Sequence, residues 1–188
     1  MVDFTLNRTV EDHDNEQYAL AYNADDIARL EKDTALGEAF SAWRTLAPAA
    51  DKAPPAAAFR AFLKGTPTLA ARIHAVHCLV SGDTFSLDDK GREALRQIGI
   101  EGQLDLTAQA LNNRAFAGFL FFAGSGTSPS YQRVCEINNG VRREYARLAL
   151  PVDDGSGSLA YFMIRPLSAA ETPLEKITEL AELNEADA

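Results

Sequence analysis

In the last third of the chain, apolar and polar positions alternate, and two turn signals break the alternation. Tyr131-Gln-Arg-Val-Cys-Glu-Ile137 ends at Asn138-Asn139-Gly140, and Asn-Gly is a strong two-residue hairpin signal because both residues tolerate positive φ. The next run, Val141 to Val152, closes at Asp153-Asp154-Gly155-Ser156-Gly157. A third run, Leu159 to Ile164, returns before Pro166 ends the pairing. The three runs predict an antiparallel meander. In the middle run Ala146, Leu148, Leu150 and Val152 share one face, opposite Tyr145 and Arg147. In the last run Ala160, Phe162 and Ile164 share a face. Both apolar faces are expected to meet an aromatic helix that precedes them.

Upstream, Ala71 to Val80 is apolar and β-branched enough for a strand, and Ser81-Gly82-Asp83 turns it into Thr84–Leu87, giving a first hairpin. Gly91 to Ile98 has a short helical pattern stopped by Gly99. Leu104 to Phe122 supplies a longer helical region before Gly124-Ser125-Gly126. Nearer the start, Asn23 is an N-cap ahead of Ile27, Leu30 and Thr34, and Leu36, Phe40, Trp43 and Leu46 continue at helical spacing to Pro48. Ala47 to Ala58 is a connection rich in Ala and Pro, and Phe59, Phe62 and Leu63 mark a short helix before Gly65. Residues 1–22, centred on Glu11-Asp-His-Asp-Asn-Glu16, show no sustained period and read as a flexible acidic arm. At the other end, Thr172-Pro173-Leu174-Glu175 is a capping box, and Leu174, Ile177, Leu180 or Ala181, and Leu183 form an apolar stripe. The chain thus divides into an arm (1–22), a helical lead-in (23–66), a core (67–167) and a C-terminal helix and tail (168–188).

At 188 residues, 46% hydrophobic and 24% charged, the chain fits one soluble domain with a sizeable core. A formal charge of −9 disfavours attraction to nucleic acid or an anionic membrane surface. The longest apolar stretch, Ala115 to Ala123, is far shorter than the roughly 20 residues a spanning helix needs. Two cysteines, Cys78 and Cys135, make no disulfide framework, and the first residues lack a secretory pattern, so a cytoplasmic location is expected.

Candidate chemistry is sparse. His74, His77 and Cys78 are the densest ligand-capable group, but on a strand His74 and Cys78 share one side while His77 points to the other, so no metal site is assigned. Gly124-Ser125-Gly126-Thr127-Ser128 follows a helix and precedes Pro129 and a strand, and reads as a loop rather than a phosphate cradle. Arg142, Arg143, Arg147 and Arg165 either gather to meet an acidic group, on a ligand, a partner or the chain's own tail, or lie on a solvated strand. Asp88-Asp89 and Asp153-Asp154 read as turns. No nucleophile with a base and no paired carboxylates stand at an interpretable spacing, so no catalytic residue is named and an enzyme is not expected. The pocket material is aromatic: Phe116, Phe119, Phe121 and Phe122 on the helix, with Tyr131, Tyr161 and Phe162 on the sheet. If Ala146, Ala149 and Ala160 leave space, a small apolar ligand fits between helix and sheet, touching Phe116, Phe119, Leu148, Leu150 and Phe162. Full packing would leave only a structural core.

The chain order of two strands, helices and a three-stranded meander resembles that of a PAS domain. Trp43-Arg44-Thr45-Leu46, then Pro54-Pro55, then Leu104-Asp105-Leu106-Thr107, then Glu144 to Gly155 (Glu-Tyr-Ala-Arg-Leu-Ala-Leu-Pro-Val-Asp-Asp-Gly) are similar to segments of the stand-alone PAS-like proteins of alphaproteobacteria. Ala108 stands where that family has Gly. The resemblance covers roughly residues 40–167. It implies an α+β fold, a five-stranded antiparallel sheet with helices on one face, in a sensory module that binds a small molecule or a signalling protein partner and signals through its terminal helices. Some PAS-like proteins hold haem, for which His74 or His77 is the available axial ligand, although no residue selects a cofactor. Two alternatives stay open: a ligand-free interaction or homodimerisation module presenting Tyr145, Arg147 and Tyr161, and a small α+β enzyme acting on an apolar substrate.

Overall fold

The structure, a computed structural model, describes residues 4–78, 85–102 and 104–171. The alternating last third forms β5 (Ser130–Asn138), β6 (Val141–Pro151) and β7 (Leu159–Pro166). They follow β1 (Phe4–Asp12), β2 (Asn15–Tyr22), β3 (His74–Cys78) and β4 (Phe85–Leu87) in the chain. Asn139 and Gly140 both take positive φ, 50° and 71°, in the tight turn between β5 and β6, as the Asn-Gly signal requires. All strands pair antiparallel in the order β1-β2-β5-β6-β7-β3-β4.

Helices cover both faces. On one lie α1 (Ala24–Leu30), α2 (Ala35–Leu46), α3 (Ala56–Gly65) and the single turn α4 (Pro67–Ala70). On the other lie α5 (Asp89–Gln97) and α6 (Leu111–Gly124). Asn23 caps α1 as expected, its side chain accepting from the Asp26 N–H, while Thr34, expected within a helix, and Asp88, expected in a turn, cap α2 and α5 by accepting from the N–H groups of Gly37 and Gly91. Residues 104–110, expected to be helical, precede α6 as turns and bends.

The sheet divides two cores. Phe40, Trp43, Phe59, Leu148, Leu150 and Tyr161 belong to the first. The Trp43 indole N–H donates to the Pro151 carbonyl at 2.6 Å, tying α2 to the end of β6. Phe116, Leu120, Val134, Ala149, Ala160 and Phe162 belong to the second, where the Phe116 and Phe162 rings meet edge to face at 5.8 Å. Gly124 permits the closest approach of α6 to β3, since a Cβ there would stand 2.5 Å from Cys78 Sγ.

Three expectations are corrected. The sheet has seven strands rather than five. Its helices lie on two faces rather than one, because β6 is apolar enough on both sides to demand two covers. The acidic arm carries β1 and β2, and β2 is an interior strand between β1 and β5. The acidic run marks the hairpin turn, where Asp14 N–H donates to Asp12 Oδ1 at 2.8 Å and Asn15 Nδ2 donates to it at 3.1 Å. The predicted Ser81–Asp83 turn and the C-terminal helix from Thr172 lie outside the described residues. Among the described residues no helix is long and apolar enough to cross a membrane.

Leu148 is fully buried against the first helical layer. Leu148→Ala is expected to lower stability by about 2 to 5 kcal/mol, read as a shift in the denaturant midpoint. An unchanged midpoint would mean that this face of β6 is not core.

Candidate functional site

α6 crosses the sheet where β2, β5 and β6 run side by side. Its Ala115 and Gly118 are too small to fill the space they face, and a cleft of about 550 Å³ remains between α6 and the sheet. Thr5, Asn7 and Thr9 of β1 close the far side, Gln17, Ala19 and Ala21 of β2 form the floor, and Phe119, Gln132 and Arg147 line the inner end.

Arg147 is 2% exposed. Its Nε and Nη2 donate to Gln132 Oε1 at 2.9 and 2.6 Å, and its guanidinium lies 4.5 Å from the Phe119 ring centre and 5.3 Å from that of Phe116. Nη1 has no hydrogen-bond partner among the described residues. Burial pushes the guanidinium below the usual arginine range, although Tyr145 and Glu136 oppose the shift.

Glu136 lies behind the cleft on the same face. Its Oε2 accepts from Gln17 Nε2 at 3.1 Å and from the Tyr145 hydroxyl at 3.0 Å, while its Oε1 and Arg143 Nη1 lack partners. Burial raises the Glu136 pKa more than its two hydrogen bonds and the nearby arginines lower it.

The opposite face holds a second buried acid, better satisfied. Glu31, 0% exposed, accepts from Arg165 Nε at 3.1 Å and Nη2 at 2.9 Å, from Arg133 Nη2 at 3.2 Å, from Thr34 Oγ1 at 2.8 Å and from the Tyr131 hydroxyl. Burial alone would raise its pKa, but the hydrogen bonds from Arg165, Tyr131 and Thr34 bring it below the usual range. Arg165 also donates to Glu171 at 2.7 Å and holds that carboxyl down at about 2. This cluster ties the α1–α2 junction to β5, β7 and the short 3₁₀ turn Ala169–Glu171.

The five expected ligand-contacting residues do not converge. Phe116, Phe119 and Phe162 lie in the core beneath α6, whereas Leu148 and Leu150 lie on the other face, under α2 and α3. Of the five, only Phe119 lines the cleft. Strand periodicity separates two faces of β6 correctly but does not say which one α6 covers. It covers the Tyr145–Arg147–Ala149 face, because Ala149 sits opposite Phe162 and Leu148 opposite Met163.

The arginines also separate. Arg147 lines the cleft, Arg165 joins Glu31 and Glu171, and Arg142 pairs with Glu144. Tyr145, Arg147 and Tyr161, expected at a partner-facing surface, are all buried. His74 and Cys78 are buried on one side of β3 while His77 is exposed on the other. Burial lowers the His74 pKa and pushes the Cys78 thiol up to about 11. The sequence reading missed Gln17, Gln132 and the β1 wall. The signal that could have found them is the alternation of large and small residues in Tyr18-Ala19-Leu20-Ala21-Tyr22.

Comparison with known proteins gave no matching family model, no matching curated protein and no matching solved structure.

The two buried acids are expected to respond to amide substitution by different amounts. Glu31→Gln leaves Arg133 and Arg165 short of a counter-charge and should cost about 3 to 5 kcal/mol. Glu136→Gln keeps the acceptor and removes a buried carboxylate, and should change stability by no more than about 1 kcal/mol in either direction. Urea titrations at pH 7 compare them, and equal losses would refute the distinction.

Because Glu31 and Glu171 titrate lower in the folded chain than when unfolded, the stability they confer is present above about pH 4.3, the unfolded value, and is lost as pH falls toward their folded values. Glu171→Gln should make the loss of stability between about pH 5 and pH 3 shallower. A slope equal to that of the unsubstituted protein in denaturation followed by circular dichroism would rule this out.

Proposed function

We propose that the protein is a stand-alone PAS-like sensory or regulatory module that takes a small molecule in the cleft between α6 and the sheet. The observation that carries this reading is the cleft itself, a space of ligand size with an apolar α6 side and a polar side formed by Thr5, Asn7, Thr9 and Gln17. The topology supports it. The strands β5, β6, β7, β3 and β4 form a contiguous five-stranded antiparallel block built from two strands, intervening helices and a three-stranded meander. That block is the arrangement the PAS resemblance implies. The β1–β2 hairpin extends it and supplies one wall of the cleft, and the first helical layer covers its second face.

A second reading, an interaction or homodimerisation module, is favoured by Phe122, which is 73% exposed on α6 beside the half-exposed Phe121.

Gly118 offers the means to separate the two. It lines the cleft, and a Cβ built there meets nothing within 4 Å, so a large side chain has room to occupy the site without displacing the core. Native mass spectrometry of the gently purified protein is expected to show a retained small molecule, which Gly118→Phe abolishes while the melting temperature holds. A bare mass for both proteins, with no thermal shift across a small-molecule panel, would favour the interaction reading. Independently of any ligand, Gly118→Ala should stabilise the protein by about 0.5 to 1 kcal/mol, because glycine inside a helix costs that much relative to alanine; no gain in thermal unfolding would refute it.

A further inference from the structure

One face of the β1–β2 hairpin carries no helix among the described residues. Side chains alternate along β2, so Gln17, Ala19 and Ala21 turn to the cleft while Tyr18 and Leu20 turn the other way. On that other side Leu20 and Cys135 form a small apolar cluster with Phe4, Leu6, Tyr18 and Tyr22, and every described member is a strand residue. Helices α1 to α4 pack in the neighbouring cluster, with β6 and β7. An antiparallel sheet can leave such a face to water. This one does not, because Leu20 is 1% exposed and Cys135 2%. Neighbours within a sheet screen a side chain mainly from the sides, and a second layer is needed to screen it from above.

The cover therefore comes from outside the described residues. Residues 1–3 and 103 are too few to make a layer, and residues 79–84 join β3 to β4 at the far edge of the sheet. Residues 172–188 remain, and they start in the right place. The Glu171 carbonyl accepts from Nη1 of Arg133 at 3.4 Å, and Arg133 stands directly opposite Leu20 in the register of β2 and β5. The length also fits. Leu174 to Leu183 would span about 13 Å as a helix, and Tyr18 to Tyr22 spans about 13 Å along β2.

We propose that residues 172–188 dock on this face as an amphipathic helix, with the stripe that runs from Leu174 to Leu183 laid over Leu20 and Cys135. The segment would complete the first helical layer, and its release would open an apolar sheet face of Phe4, Leu6, Tyr18, Leu20 and Tyr22. This goes beyond the cleft proposal and does not depend on it, since the two surfaces lie on opposite sides of β2.

The two cysteines supply the test. Cys135 lies on the proposed docking face, whereas Cys78 is buried against α6 on the other side of the sheet. The full chain and its Ile177→Glu/Leu180→Glu variant are treated with N-ethylmaleimide, and each cysteine is followed by peptide mass spectrometry. The variant is expected to label Cys135 at least about tenfold faster while Cys78 stays protected, the signature of a local opening. Glu179→Gln, off the stripe, should leave both rates unchanged. Equal Cys135 rates in the variant and the unsubstituted chain would overturn the proposal. Where both cysteines label together because the variant unfolds, a gentler measurement decides. A nitroxide on Glu182→Cys is expected to broaden the amide signals of Tyr18 to Tyr22 within the same molecule and to spare those of α5. No broadening there would overturn the proposal. Broadening seen only when spin-labelled chains are mixed with isotope-labelled chains lacking the nitroxide would overturn it as well, and would assign the face to a second copy.

Discussion

The burial of β6 on both faces governs this structure. From Tyr145 to Pro151 every residue of the strand is buried, Leu148 and Leu150 toward one helical layer and Tyr145, Arg147 and Ala149 toward the other. An antiparallel sheet can leave one face to water, but this one has no face to spare, so helices accumulate on both sides and the flanking strands become interior as well. The cost of that arrangement falls on the polar residues of the central strands. They cannot reach water and must find partners inside the protein.

Two buried acids meet that demand differently. Glu31 receives donors from Arg165, Arg133, Thr34 and Tyr131, and it joins the α1–α2 junction to β5 and β7. Such a cluster fixes how the first helical layer sits on the sheet, since removing one member strands the others. Glu136 shares its face with Arg143 and Arg147, yet each of the three keeps one atom unpaired. A partly satisfied polar network is a poor way to stabilise a core. The two faces of the sheet thus differ in kind, one locked by charge and the other left open beneath α6.

The meander was legible because its evidence is local: turn residues at fixed places, and side chains that alternate with period two. Asn139-Gly140 and the alternation from Ala146 to Val152 specify strand, turn and phase. Which layer covers which phase is not local, and Leu148 and Leu150 were assigned to the wrong side for that reason. The β1–β2 hairpin stayed hidden because β1 is largely polar and solvated, and the acidic turn between the strands outweighed the weak alternation of Tyr18 to Tyr22. Arg147 was named among four arginines of the sheet strands, but its separation from the other three became visible only in the structure, where Gln132 accepts from its Nε and Nη2.

The position of Gln132 joins the two sides of the molecule. On β5 it lies between Tyr131 and Arg133, and because side chains alternate, Gln132 faces the cleft while its neighbours face Glu31. From the cleft, the Gln132 side-chain oxygen accepts from Nε and Nη2 of Arg147 and fixes the guanidinium over Phe119. The strand that carries Gln132 carries Tyr131 and Arg133 into the cluster that holds Arg165 and, through Arg165, Glu171. Glu171 ends the short 3₁₀ turn that follows β7, so the cleft and the end of β7 are separated by one strand and one charge cluster. The cleft and the charge cluster are thus joined through adjacent residues of one strand, Tyr131, Gln132 and Arg133.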